Sequence, residues 1–289
     1  MAETPSAKTM APGTTIRDLV VQLTGSGEDE HRLAMAGTIA RSFDAHIIGV
    51  HVHLLPDILD ITDPTQSATI RTLLETSDQD ADRSFKALEA RFAHLPTSHE
   101  LRRLHGFPAD VGFELASIAR NADLFIGTRP YGDPEGRHRI EEQVLFSAGQ
   151  ACLFLPPGGT PHQRFDKIVI AWDTTREAVR AVGEAVPFLN RASSVHVVHI
   201  ASPWGESKVI EKNLEQLVAH LSRHGVQAEV VTTPFVSNSG EQIEEIAHQQ
   251  GADLLVMGAY GHTRLVELVF GGATRYVLRH ATLPVLMAH

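Results

Sequence analysis

The chain has 289 residues, long for one compact domain and sufficient for two at roughly 100–200 residues each. With 43% hydrophobic and 21% charged residues it can bury real cores, which argues against wholesale disorder, and its longest apolar runs fall well short of the roughly 20 residues that cross a bilayer. A formal charge of −10 without a basic stripe argues against binding to nucleic acid or to anionic membrane, because both need clustered Lys and Arg.

Met1 to Gly13 reads as a loose leader of small residues and Pro, with Glu3 and Lys8 but without the apolar core of a signal peptide. Asp18 to Leu23 (Asp-Leu-Val-Val-Gln-Leu) then predicts a strand, and His46 to His53 a second. A helical pattern over Ala109 to Asn121 leads into the apolar run Asn121-Ala-Asp-Leu-Phe-Ile126. Ala151-Cys-Leu-Phe-Leu155 closes the first half. The series then repeats. Lys167 to Trp172 parallels the first strand and Val195 to Ile200 the second. A helix over Gly240 to Gln250, with Ile243, Ile246 and Ala247 at helical spacing, leads into Gly251-Ala-Asp-Leu-Leu-Val256. Leu283-Pro-Val-Leu-Met-Ala-His289 is the closing strand.

Each half therefore reads β-α-β-α-β-α-β-α-β. Near-continuous apolar strands such as Lys167 to Trp172 and Asp253 to Met257 are those of a parallel sheet covered by helices on both faces. Right-handed crossovers then predict an α/β fold, two doubly wound parallel-sheet domains in tandem. The turn-rich run Leu155-Pro-Pro-Gly-Gly-Thr-Pro161 separates them, giving domains over 14–157 and 164–289.

In an open α/β sheet a ligand sits beyond the carboxyl ends of the strands where strand order reverses, so the loops after the first and fourth strands of each half are the candidate sites. In the second half the first strand ends at Trp172-Asp173-Thr174-Thr175. Asp173 suits a hydrogen bond from a ribose or base, and it equally suits the N-cap of a helix starting near Arg176, the weightier reading of that residue alone. The fourth strand ends in Gly258-Ala-Tyr-Gly261. Nine residues later, after His262 to Phe270, Gly271-Gly272-Ala273-Thr274-Arg275 opens a helix. Glycines permit close backbone approach and positive φ, and the N–H groups at a helix start attract anions, so phosphate is the natural occupant. Thr274 would add a hydroxyl and Arg275 a charge. Glycines also mark ordinary turns.

Gly258-x2-Gly261-x9-Gly271, the helix Tyr276-Val-Leu-Arg-His-Ala281 and the Pro-containing closing strand together resemble the universal stress protein family, strongly in the second half and more weakly in the first. The resemblance implies a Rossmann-like fold of the adenine nucleotide alpha hydrolase type. It also implies a nucleoside contact from Asp173 and a loop around the triphosphate of ATP with Mg2+. Cofactor-binding residues are then Asp173, Gly258, Gly261, Gly271, Gly272, Ala273 and Thr274. It further implies closing strands that pair between domains into an intramolecular pseudo-dimer, with homodimers and an unidentified protein partner as further assemblies. One departure stands out: members that bind ATP usually carry Ser or Thr where this chain has Gly272. The first half departs further, with Thr24 opposite Asp173, His138 and Arg139 opposite Gly271 and Gly272, and Glu141 opposite Thr274. It is a degenerate copy, although Arg129, Arg137 and Arg139 retain positive charge near the loop.

The expectation is a non-catalytic stress-response protein binding ATP or a related nucleotide in its C-terminal domain. A nucleotide-free interaction scaffold and a slow ATP hydrolase are the alternatives. Walker A and Gly-x-Gly-x-x-Gly patterns are absent. Seventeen histidines invite a metal hypothesis, but His51 and His53, on one strand face, have no third ligand at fixed spacing, and His196 and His199 point to opposite faces. Cys152, the single cysteine, reads as a buried small hydrophobe. It rules out an intrachain disulfide and fits a reducing compartment, the cytoplasm.

Overall fold

A computed structural model describes residues 15–56, 67–131, 140–160, 162–202, 207–261 and 272–289. The first half runs β1 (Asp18–Leu23), α1 (Glu28–Phe43), β2 (His46–Leu54), α2 (Ser67–Phe92), β3 (His99–Gly106), α3 (Pro108–Ala119), β4 (Leu124–Thr128), α4 (Ile140–Ser147) and β5 (Ala151–Leu155). The second runs β6 (Lys167–Ala171), α5 (Arg176–Leu189), β7 (Ser194–Ala201), α6 (Lys208–Arg223), β8 (Glu229–Pro234), α7 (Ser239–Gln249), β9 (Leu254–Gly258), α8 (Ala273–His280) and β10 (Val285–Ala288).

All these strands join one 10-stranded sheet in the order β3-β2-β1-β4-β5-β10-β9-β6-β7-β8. Each half contributes five, ordered 3-2-1-4-5 in its own count, with every pairing inside a half parallel. The halves meet where β5 and β10 pair antiparallel, Phe154 opposite Val285, Leu153 opposite Leu286 and Cys152 opposite Met287. The expected pairing of closing strands is thus made within one chain.

Alternation along the strands feeds two cores. Leu19, Val21 and Leu23 of β1, Leu254 and Val256 of β9 and Leu286 of β10 pack under α1, α2, α5 and α6. Val20, Leu255, Met257, Val285 and Met287 point the other way, under α3, α4, α7 and α8. Helix α5 shows the local logic. Thr175 caps it by accepting from the Ala178 N–H, and Ala178, Ala181, Val182, Ala185 and Leu189 form its buried stripe.

The recurring Ala-Asp-Leu motif has a structural cause. Asp123 accepts from the N–H groups of Arg17 (2.6 Å) and Asp18 (2.9 Å), and Asp253 from those of Asp166 (2.9 Å) and Lys167 (3.1 Å). Each carboxylate ties the start of the fourth strand of its half to the start of the first, at the amino edge of the sheet. Cys152 is fully buried, and that burial pushes its thiol pKa well up, as expected of a packing residue.

Candidate functional site

At the β6/β9 reversal of strand order the structure brings together residues about a hundred positions apart. Asp173 is exposed just beyond β6, and its Oδ1 accepts from the Thr175 N–H (3.2 Å) and the Thr175 hydroxyl (2.6 Å). The N-cap of α5 is thus Thr175, with Asp173 bracing it. Between them Thr174 has φ 65°, a left-handed backbone that a β-branched residue rarely adopts.

Gly258 and Gly261 lie against the same helix start. A Cβ on Gly258 would stand 2.4 Å from the Ala178 nitrogen, and one on Gly261 would stand 2.7 Å from the Thr175 hydroxyl. Close packing of β9 and its loop onto the first turn of α5 therefore demands both glycines whatever they bind. The loop is tied onward to α8: the Tyr260 N–H, at a residue with φ 57°, donates to the Thr274 hydroxyl (3.1 Å). Thr274 is buried, so its oxygen supports the loop from behind.

Gly272 caps α8 with φ 53° and no side-chain bond. Among the described residues a Cβ there would meet nothing nearer than the Arg275 Cβ at 3.8 Å. The first hydrogen bond of α8 runs from the Tyr276 N–H to the Gly272 carbonyl (3.0 Å), leaving the N–H groups of Ala273, Thr274 and Arg275 without a partner in the helix itself. Asp173, Gly258, Gly261, Gly272, Ala273 and Thr274 are thus linked through one chain of contacts, and Gly271 lies outside the described residues. Sequence reasoning missed Thr175 and Tyr260. The Asp-Thr-Thr run ahead of a helical pattern was the available signal for the first.

The corresponding place in the first half is filled. In the offset that pairs Thr24 with Asp173, Asp29 stands for Ala178 and Arg32 for Ala181, and in the offset that pairs Asn121 with Gly251, Thr128 stands for Gly258. Arg32, only 1% exposed, donates to the Thr128 hydroxyl (2.8 Å) and the Gln22 carbonyl (3.0 Å), and pairs with Asp29 (3.2 Å). Its guanidinium lies across the ends of β1 and β4. Burial pushes the Asp29 carboxyl up, opposed by Arg32 and by the N–H groups of Thr24 and Gly25. Glu141 accepts from the Gln22 amide (2.6 Å), adding a carboxylate at this edge. His138 and Arg139 lie outside the described residues.

The class is therefore a doubly wound α/β protein of two like halves, one with a glycine-lined switch point and one whose switch point is filled by Arg32. Residues 164–289 match the model of the universal stress protein family. The curated Universal stress protein Slr1230 of Synechocystis is 29% identical over 150 residues, which are 50% of this chain and 49% of that one. Universal stress protein MJ0577 of Methanocaldococcus jannaschii is 38% identical over 47 residues, 16% of this chain and 29% of that protein. This chain thus spans about half or less of the curated relatives it matches. The fold of a universal stress protein from Archaeoglobus fulgidus superposes with a TM-score of 0.70 at 14% identity, covering 95% of this chain and 97% of that one. These matches tie residues 164–289 to the universal stress protein family, and the Archaeoglobus structure shares the fold of the whole chain.

Among the described residues no helix is long and apolar enough to cross a membrane, and no group of three His, Cys, Asp or Glu residues could hold a metal ion.

Proposed function

We propose that this chain is a stress protein that binds ATP with Mg2+ in its C-terminal half, over residues 164–289, and performs no chemistry on it. The observation that carries this reading is the convergence at the β6/β9 switch point. Exposed Asp173 braces Thr175, Gly261 packs against Thr175, and the Tyr260 N–H ties the Gly258–Gly261 loop to Thr274 at the start of α8. Asp173 would take the ribose hydroxyls, and the N–H groups at the start of α8 the phosphates, while Mg2+ would arrive with the triphosphate. Its single buried cysteine suits a cytoplasmic place of action.

Isothermal titration of the full chain with ATP–Mg2+ tests this, together with mass spectrometry of any small molecule released on denaturation. The expected result is one ATP per chain, weakened about tenfold or more in Asp173→Ala by loss of a charge-assisted hydrogen bond. A folded chain that ignores ATP would overturn the reading. That outcome would favour a nucleotide-free scaffold, to which the Arg32-filled crevice of the degenerate first half, over 14–157, lends support.

A further inference from the structure

The glycine loop of the C-terminal half is held from the other half of the molecule. Tyr260, between the two glycines, donates its hydroxyl to Glu142 on α4, and its ring stacks on Phe146 of the same helix at 4.9 Å between centroids. Tyr131, beyond β4, donates to the same Glu142 oxygen (3.1 Å). The far end of α8 is gripped as well: the Arg129 guanidinium donates to the carbonyls of Leu278 (3.3 Å) and Arg279, and the Arg279 guanidinium lies 5.2 Å from the Tyr131 ring centroid. A cation on the last carbonyls of a helix meets the negative end of its dipole.

In the alignment of the halves Arg129 stands opposite Ala259 and Glu142 opposite Arg275. At these two positions, where the halves carry different residues, the side chains of the first half contact the loop and helix of the second. Tyr260 has φ 57°, a conformation that persists in a non-glycine residue only when its surroundings over-determine it. Glu142, Phe146 and Thr274 are those surroundings.

We propose that the N-terminal half acts as a clamp on the C-terminal site, with Glu142 and Arg129 as positioning residues that fix the glycine loop and α8 in the conformation that receives phosphate. The ligand in this statement rests on the nucleotide reading above. The mechanical part does not.

Hydrogen exchange on the full chain reads the clamp directly at the Tyr260 amide and along α8, with β1 and β2 as internal references. In Glu142→Ala and Tyr260→Phe the Tyr260 amide should exchange about tenfold faster, as expected when one hydrogen bond to a charged group is lost, while the reference strands keep their protection. Glu142→Gln, which retains an oxygen acceptor, should restore slow exchange. Arg129→Ala should loosen the last turn of α8. ATP–Mg2+ affinity should fall as exchange of the residue-260 amide quickens. Folded Glu142→Ala and Tyr260→Phe proteins with wild-type exchange at Tyr260 would overturn the clamp. Faster exchange with unchanged affinity would overturn its bearing on the site. A wild-type chain that binds no ATP, while exchange still responds, would sink the nucleotide reading and support the clamp.

Discussion

Arg32 carries the clearest consequence at the scale of one residue. Its partner Asp29 is equally buried, so Arg32→Ala leaves a carboxylate in the interior without its cation and should cost about 3–5 kcal/mol in urea unfolding. Removing both charges in Asp29→Ala/Arg32→Ala, which copies the Ala178 and Ala181 of the other half, should cost less than the two single changes added together. His51 gives a pH dependence. It is fully buried on β2, bonded to the Ser84 hydroxyl (2.8 Å), and burial, with the nearby His53, Arg103 and His105, lowers its pKa to about 4. The unfolded chain takes up this proton near pH 6.5 and the folded chain only near 4. Stability present above pH 6.5 is therefore lost as pH falls toward 4, by about 2 kcal/mol between pH 7 and 5. Denaturant titrations across that range should show the loss in wild type and a flatter profile in His51→Gln.

Among elements, the contact of β9 with the start of α5 separates two roles that glycine plays. Gly258→Ala drives a Cβ into the backbone of Ala178 at 2.4 Å and should destabilise by about 2–4 kcal/mol, so it reports packing and not ligand. Gly272→Ala meets no described neighbour inside 3.8 Å and carries the left-handed backbone penalty of about 1–2 kcal/mol. Urea midpoints should therefore fall further for Gly258→Ala than for Gly272→Ala, and a titration with ATP–Mg2+ can be read cleanly only in the second. The glycine motif was legible in the chain, but its reason was not. A glycine required by a neighbouring helix and one required by a phosphate look alike until the neighbour is known.

The antiparallel seam between β5 and β10 governs the whole molecule. It joins two five-stranded units into one sheet and removes two strand edges from solvent. Residues 164–289 expressed alone would leave the β10 edge, Val285–Ala288, without β5. That piece should pair with a second copy along β10 and sediment as a dimer, while the full chain needs no such partner at this edge. A monodisperse monomer of the half would show that the edge is blunted some other way. The seam also carries the cross-talk from Glu142 and Arg129 to the loop and helix of the second half.

Strand and helix positions were readable from the chain because burial on both faces of a parallel sheet leaves continuous apolar runs, as in Lys167–Ala171 and Leu254–Gly258. The repeat was readable because Asp123 and Asp253 do the same work at the same place in each half. Local pattern and burial are properties of short segments, so a sequence displays them. Pairing of distant side chains is not. Glu142 and Tyr260 are 118 positions apart, and the Arg32 contact with Thr128 spans 96. No period or motif relates such residues. Folding brought a degenerate first half against the loop of the second, closing one crevice with an arginine and bracing the other with a glutamate, because side chains at a sheet edge meet according to strand order and not chain order.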